Sequence, residues 1–327
     1  QDSIVGWSDA VKVVCKAFFN AGTLPVFDYR DIREKGAELI TTGGQAPGPE
    51  PLRICIEQLT QLLRAAVGRK LEPIEVHDMA CIIADAVLAG GIRRAAMIAL
   101  FDRDDEDMLS CKSGDWWKTN PARARANNSA VLPRGEVTEL EFYTLMERVE
   151  DSGCGEPGIY WTNNKDWGTN PCCEIALRPY QMCNLTEINA GAINTQREFN
   201  EAASAAAFIG TLQAGYTDFH YLNPKWRVAC EKEALLGVSM TGIASGTVEK
   251  LDMEWASQCV VDTNVEIASK LGINPAARST CVKPAGTTSL VLGTSSGIHA
   301  WHAPYYIRRM RAGKDEALAQ YMIKAAP

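Results

Sequence analysis

Several familiar signatures are missing from this chain, and each absence narrows what it does. There is no CxxC pair and no Cys/His cluster at zinc-finger spacing, although eleven cysteines are scattered along the sequence. A structural zinc module is therefore excluded. No window approaches eighteen uncharged apolar residues, and the Ala-rich stretch 202–215 is too short and too mild to span a bilayer, so it reads as a buried helix. A basic excess is also lacking. Lys and Arg total 33 against 40 Asp and Glu, a net charge of −7, which argues against a surface that coats nucleic acid. A local cationic site for a small phosphorylated ligand remains compatible with that balance. No secretory segment precedes the first helix. An odd number of dispersed cysteines fits a reducing cytoplasm, with most thiols free and a few reactive. Short-period repeats and low-complexity linkers are absent.

What is there describes a soluble globular protein. The 327 residues are 46% hydrophobic and 22% charged, enough for a substantial core. Apolar periodicity predicts helices over 8–19 (capped by Ser8 or Asp9), 52–67, 74–88, 139–150, 197–216, 224–234 and 254–271. Strands are expected over 25–29, 95–101, from Asn127, over 159–162, 237–241, 280–283 and 305–311. An acidic run, 102–107, suits a helix start, and Trp116 and Trp117 are expected on the core. Helices and strands alternate, so the expected architecture is α/β with a largely parallel sheet, a barrel rather than an open sheet, in one domain spanning 1–327. Gln1 is not an initiator Met and 325–327 lack a cap or polar tail, so both ends read as cut from a longer protein.

Three stretches carry chemistry. In the segment 168–189, Asn170, Cys172 and Glu174 fall on alternate positions. In an extended segment such residues share one face, which would bring an amide, a thiol and a carboxylate to one cavity. Cys172 and Cys173 cannot both lie on that face. Cys183 returns after a turn marked by Pro179 and Tyr180. The plainer reading is two half-buried strands with ordinary core cysteines. Second, glycines beside Arg93 and Arg94 at an element junction suit either anion binding or a solvated surface turn. Third, Pro284, Ala285, Gly286, Thr287, Thr288 and Ser289 form a small-residue turn that opens a helix with three hydroxyls. Free N–H groups there suit a phosphate cradle, or simply a well-capped helix. The spacing is not that of a Walker A loop.

Taken together, these residues resemble a known family. Asn170-Pro171-Cys172-Cys173-Glu174 with Cys183-Asn184-Leu185 resembles the finger loop of ribonucleotide reductases, and the short gap is most similar to the adenosylcobalamin-dependent class II enzymes. Asp2-Ser3-Ile4-Val5-Gly6-Trp7, Gly43-Gly44 with Gly48-Pro49, Gly91-Ile92-Arg93-Arg94, Asn127-Asn128-Ser129, Gly155-Glu156-Pro157-Gly158-Ile159, Val282-Lys283-Pro284-Ala285-Gly286-Thr287 and the block 297–311 resemble the same class in the same order. The first motif and the short finger loop lean toward its monomeric, triphosphate-reducing branch.

The resemblance implies a ten-stranded α/β barrel of the ribonucleotide reductase and glycyl radical enzyme type, incomplete at both ends, threaded by a finger loop at about 168–189. It implies a ribonucleotide substrate, adenosylcobalamin as radical source, a deoxynucleotide effector, and thioredoxin or a similar dithiol as reductant. Cys172 would carry a thiyl radical, Glu174 would act as general base, Asn170 would hold the same region by hydrogen bonds, and Cys183 would be one of the two reducing thiols. The 284–289 turn would cradle the substrate phosphates. Loops at about 41–51 and 90–97 would relay effector identity, with Asp2, Gly43, Gly44, Arg93 and Arg94 as contacts. Two departures stand out. Cys173 occupies a position where the family usually has Gly. The family's first redox cysteine precedes Asp2, and its last strands and C-terminal thiols follow residue 327, so those portions would have to be supplied from elsewhere. The alternatives are a class I large subunit that needs a metal-containing radical partner, and a truncated nucleotide-binding module without catalysis.

Overall fold

The computed structural model describes residues 1–40, 45–89, 92–93, 96–307 and 317–326. Their contacts cluster into two compact units, Gln1–Asn163 with Arg309–Pro327, and Asn164–Arg308, where the sequence pattern suggests one domain.

The first unit opens with helix α1 (Ile4–Phe19). It starts earlier than expected because Ser3, not Ser8, caps it, its Oγ accepting the Gly6 N–H. Helices α2 (Glu50–Ala65) and α3 (Pro73–Ala86) follow. Leu52, Cys55, Ile56, Leu59 and Leu63 recur at helical spacing on α2 and bury one face against Val14 of α1 and Ala86 of α3. Residues 25–29 form no strand. Phe27 and Tyr29 pack on this helical cluster as isolated anchors while Val26 is 99% exposed, so the alternation there records packing without a ladder.

A short antiparallel pair, β1 (Leu88–Ala89) with β2 (Ile92–Arg93), leads to a parallel three-stranded sheet. Its strands are β3 (Met97–Asp102), β4 (Ala126–Pro133) and β5 (Gly158–Thr162), in that order. The β3–β4 crossover contains α4 (Glu106–Ser110), capped by Asp105, and α5 (Trp116–Thr119). Against expectation, Trp117 is 53% exposed. The β4–β5 crossover is α6 (Glu139–Asp151), begun by a Thr138/Glu141 capping box.

The second unit begins with the antiparallel hairpin β6 (Gly168–Thr169) and β7 (Ala176–Leu177). Strand β8 (Asn184–Asn189) then leads through α7 (Gln196–Ala214) and α8 (Lys225–Glu233) to β9 (Leu236–Thr241), its parallel neighbour. Helix α9 (Met253–Leu271) and the short α10 (Gly286–Leu292) complete it, and α11 (Ala317–Ala325) belongs to the first unit. Ile188, Leu236 and Val238 face Phe199, Ala203, Ala207 and Val260 of α7 and α9, forming the core. The opposite parity of β8 and β9 is left for the site.

The α/β reading with parallel pairing holds, but among the described residues the largest sheet has three strands. Residues 280–283 contribute one parallel bridge, Val238 to Thr280, in place of the expected strand. Residues 305–307 form no strand, and the rest of 305–311 lies outside the described residues. No helix among the described residues is long and apolar enough to cross a membrane.

Candidate functional site

The hairpin β6–β7 holds the residues at 170–175 in a tight tip. The Cys173 N–H donates to the Asn170 carbonyl at 2.9 Å. The Asn170 side-chain oxygen accepts the Ile175 N–H at 3.0 Å, and Thr169 Oγ1 donates to the Ile175 carbonyl at 2.9 Å. Two ladder pairs alone would hold such a loop weakly, so the Asn170 amide does much of the closing. Residues 171–173 are a turn and not an extended segment. The alternate-face argument therefore applies only in part: Asn170 and Glu174 converge, whereas Cys172 is exposed at the tip. Cys173 adopts φ +65°, in the left-handed region, where a Cβ is strained and glycine is free.

Glu174 is the best-buried charge of the site. Its side chain is 1% exposed, and Oε1 accepts a hydrogen bond from Lys283 Nζ at 2.7 Å. Oε2 is buried without a hydrogen-bond partner. Burial pushes this carboxyl up, but the Lys283 ammonium and the Asn170 amide beside it prevail and hold it below its ordinary range. Burial likewise pulls the Lys283 ammonium down, and Glu174 more than offsets that, so it stays charged. Lys283 is fixed from its backbone: its N–H donates to Ser239 Oγ of β9 at 2.8 Å. Its carbonyl faces the Cα of Gly297, where a Cβ would approach to 2.7 Å.

Register then assembles the rest. Leu185 pairs with Gly237, Glu187 with Ser239 and Asn189 with Thr241, so odd positions of β8 and β9 face away from the helices. Cys183 joins this face. A Cβ on Gly237 would meet its Sγ at 3.0 Å, Leu185 at 2.6 Å and Ile175 of the hairpin at 3.1 Å, so the hairpin tip, Cys183 and β9 meet only because residue 237 has no side chain. Burial, then the neighbouring Cys281, pushes the Cys183 thiol up to about 12. Burial and Glu174 push Cys281 up to about 11. Both are thiols at neutral pH. The base of the hairpin is clamped by Trp167, which lies under the guanidinium groups of Arg178 and Arg278 at 4.4 and 5.1 Å.

Immediately after Lys283, the 284–289 turn opens α10. Gly286, Thr287 and Thr288 are exposed, and a Cβ on Gly286 would meet nothing within 4 Å. Ala285 and Ser289 are buried, and the Ser289 hydroxyl donates inward to the Gly286 carbonyl at 3.1 Å. The open donors of this turn are thus Gly286, Thr287 and Thr288.

The expected effector contacts lie in the other unit. Asp2 pairs with Arg33, whose backbone N–H also donates to it at 3.2 Å. Burial pushes this carboxyl up, but those bonds prevail and lower it. Arg93 is in β2. Gly43, Gly44 and Arg94 lie outside the described residues. Sequence reasoning missed Lys283, Glu187, Cys281 and Trp167. The period of two from Cys183 through Leu185 to Glu187 is a signal that could have found the second of these. Lys283 carried no periodic signal, since its role depends on a partner 109 positions away.

Comparison with known proteins places these residues in context. No family model matches the chain. It is 31% identical to an adenosylcobalamin-dependent ribonucleoside-triphosphate reductase of Euglena gracilis, over 99% of this chain and 46% of that protein. A reductase of the same name from Levilactobacillus brevis is 29% identical over 97% of this chain and 48% of its own length. A crystal structure of a B12-dependent, class II ribonucleotide reductase superposes with a TM-score of 0.72 at 25% identity, covering 91% of this chain and 47% of that one. The chain spans slightly less than half the length of the relatives it matches. Sequence and fold agree in likening it, nearly end to end, to one continuous part of a class II reductase.

Proposed function

We propose that this chain is the central part of the catalytic barrel of an adenosylcobalamin-dependent ribonucleoside-triphosphate reductase, with the finger loop at about 168–189 and the ten strands completed by flanking portions of the same enzyme. The observation that carries the reading is the Glu174 carboxylate, buried and held ionised by Lys283, one residue removed from an exposed thiol at Cys172. The similarity to class II enzymes favours this over a class I large subunit.

On this reading a thiyl radical at Cys172 removes the 3′ hydrogen of the ribose. Glu174 takes the 3′-hydroxyl proton through Oε2, the oxygen without a partner. Its lowered proton affinity keeps it in the accepting form at neutral pH. Asn170 fixes the loop that positions both. The 2′-hydroxyl departs as water, and Cys183 with a second thiol supplies two electrons and becomes a disulfide. Burial keeps Cys183 in its thiol form, the form that delivers hydrogen. Gly286, Thr287 and Thr288 offer their N–H and hydroxyl groups to the substrate phosphates. Adenosylcobalamin, when bound, supplies the radical chemistry that side chains cannot start. The exposure of Cys172 fits that source, because a thiol that loses hydrogen to a bulky group must be reachable.

Loops 41–51 and 90–97, with Asp2, Gly43, Gly44, Arg93 and Arg94, would read a deoxynucleotide effector. Thioredoxin or a similar dithiol would restore the disulfide, in a cytoplasmic, reducing setting. The test is reduction of CTP or ATP with adenosylcobalamin, a small dithiol and a deoxynucleotide effector, for this chain, for a version extended at both ends, and for the Cys172→Ala form. Turnover in the extended version that vanishes in Cys172→Ala is the expected result. Nucleotide binding without turnover in any version refutes it.

A further inference from the structure

Three of the eleven cysteines are exposed, and two of these, Cys172 and Cys173, are neighbours in the chain. The third, Cys154, belongs to the other unit. In a strand, consecutive side chains point to opposite faces, and two such thiols could not meet. The structure removes that obstacle. Residues 171–173 form a turn, Cys173 stands at φ +65°, and its N–H donates to the Asn170 carbonyl at 2.9 Å. Bonds from Asn170 and Thr169 to Ile175 keep that turn closed. A left-handed residue is a costly place for a side chain, and the chemistry above gives Cys173 no task. Partial burial, then Cys172 and then Glu174, push the Cys173 thiol up. It is therefore a poor attacking thiolate, suited to act second.

We infer that Cys172 and Cys173 are a peroxide-responsive vicinal dithiol, which closes to a disulfide and is reopened by a dithiol reductant. The closure needs only these two residues; its bearing on turnover rests on the reductase reading. The oxidant is hydrogen peroxide, and the step balances. The Cys172 sulfur attacks one peroxide oxygen, the O–O bond breaks, water leaves, and the sulfur becomes a sulfenic acid. The Cys173 sulfur attacks that sulfur, the S–O bond breaks, a second water leaves and the S–S bond forms. The two thiols have then given two electrons and two hydrogens to one peroxide. A dithiol reverses the closure by exchange and is itself oxidised to a disulfide.

Reversibility follows from the adjacency. Consecutive Cα atoms lie about 3.8 Å apart, closer than the roughly 4.4 Å at which ordinary disulfides begin. A ring closed through one peptide unit is strained, and a strained, exposed disulfide is readily reduced. While the ring is closed, Cys172 has no hydrogen to lose and the site is off. The ring also spares Cys172. Without a neighbouring thiol, an exposed sulfenic acid advances to the sulfinic acid, which dithiols do not restore. The side chain at 173, at a position that favours glycine, thus makes an exposed reactive thiol recoverable.

The test treats this chain, the version extended at both ends, and Cys173→Ser of each with hydrogen peroxide. Free thiols are then alkylated, and the peptide that carries residues 172 and 173 is weighed. In the unmodified protein it is expected to be lighter by two hydrogens and closed to alkylation, and dithiothreitol is expected to restore it. Phenylarsine oxide, which needs two thiols within reach of one arsenic, is expected to block the closure. In Cys173→Ser the peptide is expected to carry Cys172 sulfinic acid, which dithiothreitol leaves unchanged. Where the extended protein reduces CTP, its turnover after peroxide is expected to return in full with dithiol, and that of Cys173→Ser to be lost for good. Sulfinic acid at Cys172 as readily in the unmodified protein as in Cys173→Ser overturns the inference. So does a peroxide-induced disulfide that joins Cys172 to Cys183 instead. Closure of the pair in an extended protein that never turns over removes the reductase reading and leaves the dithiol assignment standing.

Discussion

Replacing Lys283 by Met tests what holds the Glu174 charge in place. The substitution keeps most of the stem and removes the ammonium that donates to Oε1 at 2.7 Å. Glu174 has a side chain 1% exposed and Lys283 one 24% exposed, so water replaces the lost donor poorly. A hydrogen bond to a charged group contributes about 1.5–3 kcal/mol, and at about 1.4 kcal/mol per unit this raises the Glu174 proton affinity by roughly 1–2 pKa units. Burial is then opposed mainly by the Asn170 amide, and the carboxyl moves up from its lowered value. The sign for stability follows. In the unmodified protein the folded carboxyl is depressed, so its contribution is present above the unfolded value and is lost as pH falls through the folded one. In Lys283→Met the folded value is less depressed, so this contribution shrinks and less stability is lost as pH falls. Urea melts from pH 3 to 7 together with 13C titration of the Glu174 carboxyl read both effects. The acid limb of any turnover profile moves up with it. An unchanged Glu174 titration in Lys283→Met refutes the claim that this ion pair sustains the base.

Two further outcomes follow from other residues. Cys173→Gly removes a side chain from a left-handed backbone that costs roughly 1–2 kcal/mol, offset by about 0.5–1 kcal/mol of added chain freedom; equilibrium unfolding should show a gain of up to about 1 kcal/mol, and a clear loss would contradict the strain reading. Burial alone would pull His77 down, but bonds to Asp78, Cys81 and Asn128 prevail and push it up to about 9. Its contribution is therefore full below the unfolded value of about 6.5 and disappears as pH rises through about 9, an effect on the order of 3 kcal/mol. Urea melts from pH 6 to 9 should lose more stability than those of His77→Gln, and parallel profiles would refute the assignment.

The helices were the most legible part of the fold because their signals are local. The α2 stripe from Leu52 to Leu63, the Thr138 capping motif and the apolar rhythm of α9 each lie within one element. The 25–29 strand failed because Phe27 and Tyr29 alternate as a strand would but bury against helices. Ser8 was a plausible cap and lost to Ser3, since Ile4, Val5 and Trp7 continue the helix backwards. At the candidate site, the period of two anticipated the convergence of Asn170 and Glu174, whereas Cys172 lies exposed in a turn, off the face that the spacing assigned to it. Lys283 was not legible, because the pairing that gives it meaning joins the hairpin to a segment beyond α9. The turn at 171–173 was hidden from the periodicity, and the one hint was that Cys173 stands where the resembled family usually has Gly, the residue that its left-handed backbone favours.

The Asn170 amide has a direction, and that direction couples two properties usually treated apart. Its oxygen is committed to the Ile175 N–H, so its nitrogen is the end left to favour a negative charge at Glu174. Loop shape and proton occupancy are therefore one variable. Opening the hairpin withdraws the amide that favours the carboxylate, and protonating Glu174 removes the charge that the amide and Lys283 gather around. Aspartate at position 170 is nearly isosteric, yet it would set two anions together in a tip with one ammonium. The loop thus accepts one of two almost identical side chains, and the criterion that separates them is polarity rather than size.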